Sequence, residues 1–306
     1  MIKKDTEEIF ERDGLCKRNE RLTVIKNIEA AIESGDFNRE VEQIFHNVTE
    51  KERKRVIISF DNKRRSIPAR IKKFTARRLA EKFTRKVNRY TSIVGIENAL
   101  SVRGGAIITA NHYAPTDSTP VRMLACACNK RKKLHIIIQE KNVFMTGAFG
   151  FLMKNCNTHP VSSSAEYMIK NLEPEIASLT KGENYILIYP EENMWRGYKA
   201  PRPTRDGAYH YAAKYGVPII PTFTEMRTVE GERDAEGFLP IIHTLHVLPP
   251  IYPDKNLSVR ENRKIMQERD FNEKKKLYEE LYGIKYEEIS SFVAERDIAG
   301  LVPDDK

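Results

Sequence analysis

Ala106-Ile107-Ile108-Thr109-Ala110-Asn111-His112-Tyr113-Ala114-Pro115-Thr116-Asp117 is the stretch on which the fold turns. A short apolar run, Ala106 to Ala110, follows Gly104 and Gly105 and empties into residues that Pro115 keeps irregular. Thr116, Asp117 and Ser118 are helix N-cap types, and Pro120 is tolerated in a first turn. The reading is strand, loop, helix, the connection on which α/β folds carry their chemistry. Within that loop a histidine and a carboxylate stand five residues apart. A histidine takes a proton from a hydroxyl near neutral pH when a carboxylate on its other nitrogen fixes the tautomer and stabilises the imidazolium. The plain alternative is a loop histidine followed by an aspartate that only caps the next helix.

Working outward, Tyr185-Ile186-Leu187-Ile188-Tyr189-Pro190-Glu191-Glu192-Asn193 repeats the pattern of an apolar run ending in a proline and carboxylates. Val217-Pro218-Ile219-Ile220-Pro221-Thr222-Phe223 is a third run, after a helical stretch from Gly207 to Tyr215 that Gly216 caps. Between the first two runs come a helix from Ser118 to Asn129, the run Leu134 to Ile138, a glycine-containing helix near Phe144 to Lys154, and helical sequence from Ala165 to Leu179 broken at Pro174. Strands separated by helical stretches predict βαβ crossovers, and so an α/β fold with a mostly parallel sheet flanked by helices. Residues 1–62, with Leu22, Val24, Ile25, Ile28 and Ile32 at helical spacing, read as a helical N-terminal extension. Residues 63–253 read as the core. Residues 254–306, charged and helical from Ser258 to Tyr282, read as a C-terminal helical addition packed on its surface.

With 306 residues, 40% of them hydrophobic and 31% charged, the chain is long enough to bury a substantial core. Cys16, Cys126, Cys128 and Cys156 make no paired pattern and point to a reducing compartment; Cys126-Ala127-Cys128 reads as small packing residues on a helix. His243-Thr244-Leu245-His246 falls in an alternating, strand-like run without cysteine ligands, so no metal is assigned. No G-x-S-x-G elbow supports a serine nucleophile. No run of 18 apolar residues exists and the N-terminus has no signal-peptide core, so the expectation is a cytoplasmic protein, peripheral where it meets a bilayer.

The net charge of +9 is unevenly placed. Lys63 to Arg89 holds twelve Lys or Arg against the single Glu81, so the rest of the chain is close to neutral. Ile67, Ile71, Phe74, Leu79, Phe83, Val87 and Tyr90 recur there at helical spacing, which predicts a basic amphipathic helix over 69–89. Three readings compete for it: an apolar stripe packed on the core with solvated cations, contact with an anionic membrane surface, and nucleic-acid binding, for which no aromatic recognition motif speaks.

The order N-H-x4-D, then an apolar strand ending Pro-Glu, then a Val-Pro-Ile-x-Pro strand resembles the glycerolipid acyltransferase family typified by lysophosphatidic acid acyltransferases, over roughly residues 90 to 250. The resemblance implies direct attack of an acceptor hydroxyl on an acyl thioester, from acyl-CoA or an acyl carrier protein, with no permanently bound cofactor and no covalent intermediate. His112 would be the base, Asp117 its orienter, and Asn111 and Glu191 part of the substrate site, with a lysophospholipid such as 1-acylglycerol-3-phosphate as acceptor. The chain departs from the family where Pro-Glu usually continues Gly-Thr-Arg: here it reads Glu192-Asn193-Met194-Trp195. The arginine thought to bind the acceptor phosphate is missing from its place. Arg196, Lys199, Arg202 and Arg205 follow at intervals of three, and a polyproline II course would align them on one side. Arg196 and Arg205 are taken as replacement phosphate ligands, whereas Lys199 and Arg202 read as solvated. The departure leaves two alternatives open, the same chemistry on a non-phosphorylated alcohol or amine and a non-catalytic lipid- or nucleic-acid-binding protein.

Overall fold

The computed structural model describes residues 18–42, 66–128, 133–182, 184–234 and 237–302, with short pieces between 49 and 60. The expected Lys63 to Arg65 and Cys16 lie outside the described residues, as does much of the extension before residue 62.

Seven strands, β1 (Ser92–Val94), β2 (Ala106–Thr109), β3 (Leu134–Gln139), β4 (Thr158–Val161), β5 (Tyr185–Ile188), β6 (Ile219–Thr228) and β7 (Ile241–Val247), form one sheet in the order β1-β7-β6-β2-β5-β3-β4. Every neighbouring pair is parallel except β6 with β7. The fold is therefore the expected α/β class with a mostly parallel sheet. All four residues of β2 are buried, as the continuous apolar run of a central parallel strand requires. Strands β1 and β4 escape a sequence reading because Ser92-Ile93-Val94 and Thr158-His159-Pro160-Val161 are too short and too polar to stand out as apolar runs. Pro160 sits in β4 because that strand is an edge, where a missing ladder donor costs nothing.

The helices are α1 (Arg18–Glu33), α2 (Ile67–Val87), α3 (Ser118–Cys128), α4 (Gly147–Asn155), α5 (Glu173–Lys181), α6 (Gly207–Tyr215) and α7 (Val259–Tyr282), with shorter turns between them. Alternation along β2 sends Ile108 to one face and Ile107 to the other. Ile108 packs with Val121 and Leu124 of α3, while Ile107 packs with Ile176 of α5, Tyr209 of α6 and Met266 of α7. Each such fully buried aliphatic side chain contributes about 1.5–3 kcal/mol. The break expected at Pro174 is absent. A π-helical turn at Met168–Leu172 leads into α5, with the proline in its first turn, where a lost N–H is tolerated.

Helix α7 is more deeply engaged than a surface addition. Ser258 and Glu261 close a capping box at its start, and its inner face buries Asp270 and Lys274. Asp270 accepts hydrogen bonds from Thr109 Oγ1 of β2 at 2.9 Å and from Tyr209 Oη, and Lys274 Nζ donates to Thr109 Oγ1 at 3.0 Å. Helix α1 buries Val24, Ile25, Ile28, Ala31 and Ile32 in a cluster with Trp195, Tyr198, Phe223 and Tyr278, joining the two ends of the chain to the middle.

Helix α2 overturns the single-stripe reading. Its packed face is small: Ala76, Ala80, Thr84 and Val87 are buried against α3 and α4. Ile67, Ile71 and Phe74, on the opposite side, are 76%, 66% and 62% exposed. The cause is steric, since alanines admit a close helix approach that three bulky side chains would prevent.

Candidate active site

Thr109 of β2 pairs with Ile188 of β5, so the two neighbouring strands end level and their loops emerge side by side. This is the C-terminal edge of the sheet, where open α/β folds place their ligands. His112 lies three residues beyond β2, and its Nδ1 meets Asp117 Oδ2 at 2.6 Å. The same oxygen accepts the backbone N–H of Tyr113 at 3.1 Å. Asp117 thus ties down the loop that carries His112 as well as its imidazole, and it does not cap the later amides of α3.

Tyr189 completes the group, and sequence reasoning missed it. Its Oη donates to Asp117 Oδ1 at 2.6 Å, and its ring stacks on His112 with centroids 4.2 Å apart and planes at 20°. Burial, and then the charge of Asp117, hold its phenol well above the ordinary tyrosine range. The only signal in the sequence is its place, one residue past β5 and one before Pro190.

Three residues assigned to the substrate serve as internal braces and do not line the cavity. Asn111 bridges to β6, donating to Thr224 O at 3.1 Å and accepting from Thr224 N at 2.8 Å. Glu191 is buried, accepting from His112 N at 3.2 Å, Arg202 N at 3.1 Å and the Arg202 guanidinium at 2.9 Å. Arg196 forks onto Glu42 through two bonds of 3.0 and 2.9 Å. The loop after β5 also clamps the His112 loop by backbone alone: Trp195 N donates to His112 O and Gly197 N to Tyr113 O, each at 3.0 Å.

The four cations of this loop go four ways, so the aligned row is not formed. Lys199 Nζ donates to Arg296 O at 2.7 Å, and burial pushes its pKa down. Arg202, read as solvated, is 1% exposed. It lies over the Trp195 ring at 4.5 Å and donates to Glu191, Phe37 O and Asn193 O. Arg205 is exposed, held by one 3.3 Å contact to Glu192. Glu192 stands where the resembled family has glycine, and it keeps the glycine-like backbone, with φ at 62°.

A cavity of about 410 Å³ opens beside these loops. His112 and Asp117 line it, with an apolar wall that includes Ile136, Ile138, Met145, Met153, Val161 and Tyr211. Its charged lining includes Glu40, Lys141, Glu192 and Arg205, of which Glu40 pairs with Lys141 and Glu192 with Arg205. Met194, in the place of the family's arginine, lines it too. The arrangement sets an imidazole–carboxylate pair on the wall of a mostly apolar cavity.

Among the described residues no three His, Cys, Asp or Glu side chains gather as a metal site. His243 and His246 lie on opposite faces of β7; His246 Nε2 meets Glu225 Oε2 at 2.9 Å. Cys126, expected to pack, is exposed, while Cys156 is buried. No described helix is long and apolar enough to cross a membrane.

No curated protein matches the chain. Among solved structures it is similar to the 1-acyl-sn-glycerophosphate (LPA) acyltransferase PlsC from Thermotoga maritima, at 17% identity over 84% of this chain and 95% of that one, with a TM-score of 0.44. Residues 91–225 match the family model described as Acyltransferase, a span that contains His112, Asp117, Tyr189 and the whole clamp around Glu191. The part of the chain that is similar to the Acyltransferase family is thus the part that carries the His112–Asp117 pair.

Proposed function

We propose that the protein moves a fatty acyl group from a thioester, acyl-CoA or acyl carrier protein, to a hydroxyl of a lysophospholipid-like acceptor at an anionic membrane surface, with His112 as general base. The observation that carries this reading is the His112–Asp117 pair on the lining of a mostly apolar cavity. With Nδ1 held by Asp117, Nε2 is the nitrogen left for the acceptor proton. As Nε2 takes that proton, the acceptor oxygen attacks the thioester carbonyl. The tetrahedral adduct then collapses, the C–S bond breaks, and the departing sulfur takes the proton from the imidazolium. Asp117 stabilises the cation between these steps and stays ionised. Donor and acceptor are bound together, so the kinetics are sequential and no acyl-enzyme forms.

Phosphate recognition falls to Arg205, which is on the cavity lining, exposed and weakly held. A second reading, a non-phosphorylated acceptor, is favoured by Met194 in the arginine's place and by the carboxylates that already pair with Arg205 and Lys141. The membrane contact is the outer face of α2. Ile67, Ile71 and Phe74 stand exposed among Arg70, Lys72, Lys73 and Arg77, and each cation near an anionic surface contributes about 1 kcal/mol.

Release of free thiol from acyl-CoA with a panel of acceptors tests the reaction. His112→Ala is expected to lose roughly 10²- to 10⁴-fold in turnover, and turnover near that of the wild type sinks the assignment. Reversing Arg70, Lys73, Arg77 and Lys82 to Glu is expected to abolish co-sedimentation with anionic vesicles; unchanged binding removes α2 from the membrane.

A further inference from the structure

The reaction as derived uses one oxygen of Asp117, and the other is held by a residue outside the recognised motifs. Tyr189 Oη is the described donor to Asp117 Oδ1, at 2.6 Å, while Oδ2 serves His112 and the Tyr113 amide. The carboxylate is 4% exposed, so without the phenol a buried charged oxygen would lose its donor. The ring of the same side chain lies flat on the imidazole. The register of β2 with β5 makes this possible, because it brings the first residue after β5 beside the loop after β2. Phenylalanine would supply the ring without the bond, and serine would supply a hydroxyl too short to reach.

We propose that Tyr189 is a positioning residue of the His112–Asp117 pair. Its hydroxyl holds Asp117 in the orientation that binds Nδ1, and its ring keeps the imidazole plane that presents Nε2 to the acceptor. This rests on His112 being the base. The phenol stays protonated, so it donates across the working range and draws charge from the carboxylate. The other groups that bear on this cluster are Tyr113, Arg122 of α3, and Glu191 at the His112 amide. Removing the hydroxyl makes Asp117 a stronger partner for the imidazolium, so the acidic limb of the kcat/KM profile moves to higher pH. It also frees the carboxylate to turn, which lowers kcat.

The test compares Tyr189→Phe, Tyr189→Leu and enzyme carrying a ring-fluorinated tyrosine at 189, in the thiol-release assay across pH, alongside His112→Ala. Tyr189→Phe is expected to lose about tenfold in kcat, the worth of one hydrogen bond to a charged group, with donor KM little changed. Its acidic limb is expected to rise by roughly half to one pH unit. Tyr189→Leu, which also loses the stack, falls further. Fluorinated tyrosine keeps the ring and the hydroxyl and is a stronger donor, so it alters the bond without removing it, and its limb moves down. Wild-type kcat and limb in Tyr189→Phe, or an unmoved limb in both Tyr189→Phe and the fluorinated enzyme, overturns the proposal. A His112→Ala enzyme that keeps its turnover instead brings down the base assignment, and the two failures are thereby told apart.

Discussion

The loops after β2 and after β5 face one cavity, but they are held by contacts of very different reach. In the first, His112 and Asp117 meet across five residues, and the same carboxylate gathers the Tyr113 amide. In the second, Asn193 Nδ2, Trp195 Nε1 and the Arg202 guanidinium donate to the backbone carbonyls of Asn38, Arg39 and Phe37, more than 150 residues away. Arg196 pairs with Glu42 in the same segment. The block that departs from the family pattern is therefore spent on holding residues 37–42 against the site. A short-range constellation is set by its own loop; a long-range one exists only once distant segments have docked.

Substitution should separate the two. In the first loop, Asp117→Asn is expected to lose about 10²- to 10⁴-fold in turnover through the wrong imidazole tautomer, with thermal stability largely kept. In the second, Arg202→Met leaves the Glu191 carboxylate buried without its partner and is expected to destabilise the fold by about 3–5 kcal/mol in denaturant titration. Adding Glu191→Leu should then recover part of that loss. A stable Arg202→Met protein, or an Asp117→Asn protein that unfolds, would erase the distinction.

A smaller effect distinguishes the cations within the second loop. Arg205→Gln is expected to raise the apparent KM for a phosphorylated acceptor about tenfold, as loss of a charge-assisted contact does, with an uncharged acceptor unaffected. Arg196→Gln should change both acceptors alike, because that side chain is tied to Glu42. Equal KM values for both acceptors in Arg205→Gln would favour the non-phosphorylated reading. The smallest effect belongs to Glu192→Gly. It relieves a left-handed backbone position and is expected to change stability by no more than about 1 kcal/mol, while releasing Arg205 from its carboxylate. A lowered KM for the phosphorylated acceptor in this variant would sharpen the role of Arg205.

Much of the α/β layout was legible because β2, β5 and β6 are continuous apolar runs bounded by Gly, Pro and capping residues. The His112–Asp117 contact was legible for the same local reason. Arg202 read as solvated because a cation between two prolines carries no sign of burial. Its partner Glu191 is eleven residues back, and the Trp195 face it lies over is made available by packing against α1. Which face of α2 packs stayed open in the sequence, because bulky residues at helical spacing suit a core and a membrane alike, whereas close packing of helices selects the smaller side chains.

Hydrophobic period, punctuation and a five-residue spacing are properties of neighbouring residues, so the chain alone determined the mostly parallel sheet, the strand-loop-helix connection and a histidine within reach of a carboxylate. Which side chains face the cavity depends on register and docking between segments far apart in the chain. The Thr109–Ile188 register brings Tyr189 to Asp117, and docking of the segment around Glu42 gives Arg196 a carboxylate partner behind the cavity lining. Those choices belong to the tertiary structure, because a buried charge or a buried carboxylate oxygen is stable only beside the partner that folding delivers to it.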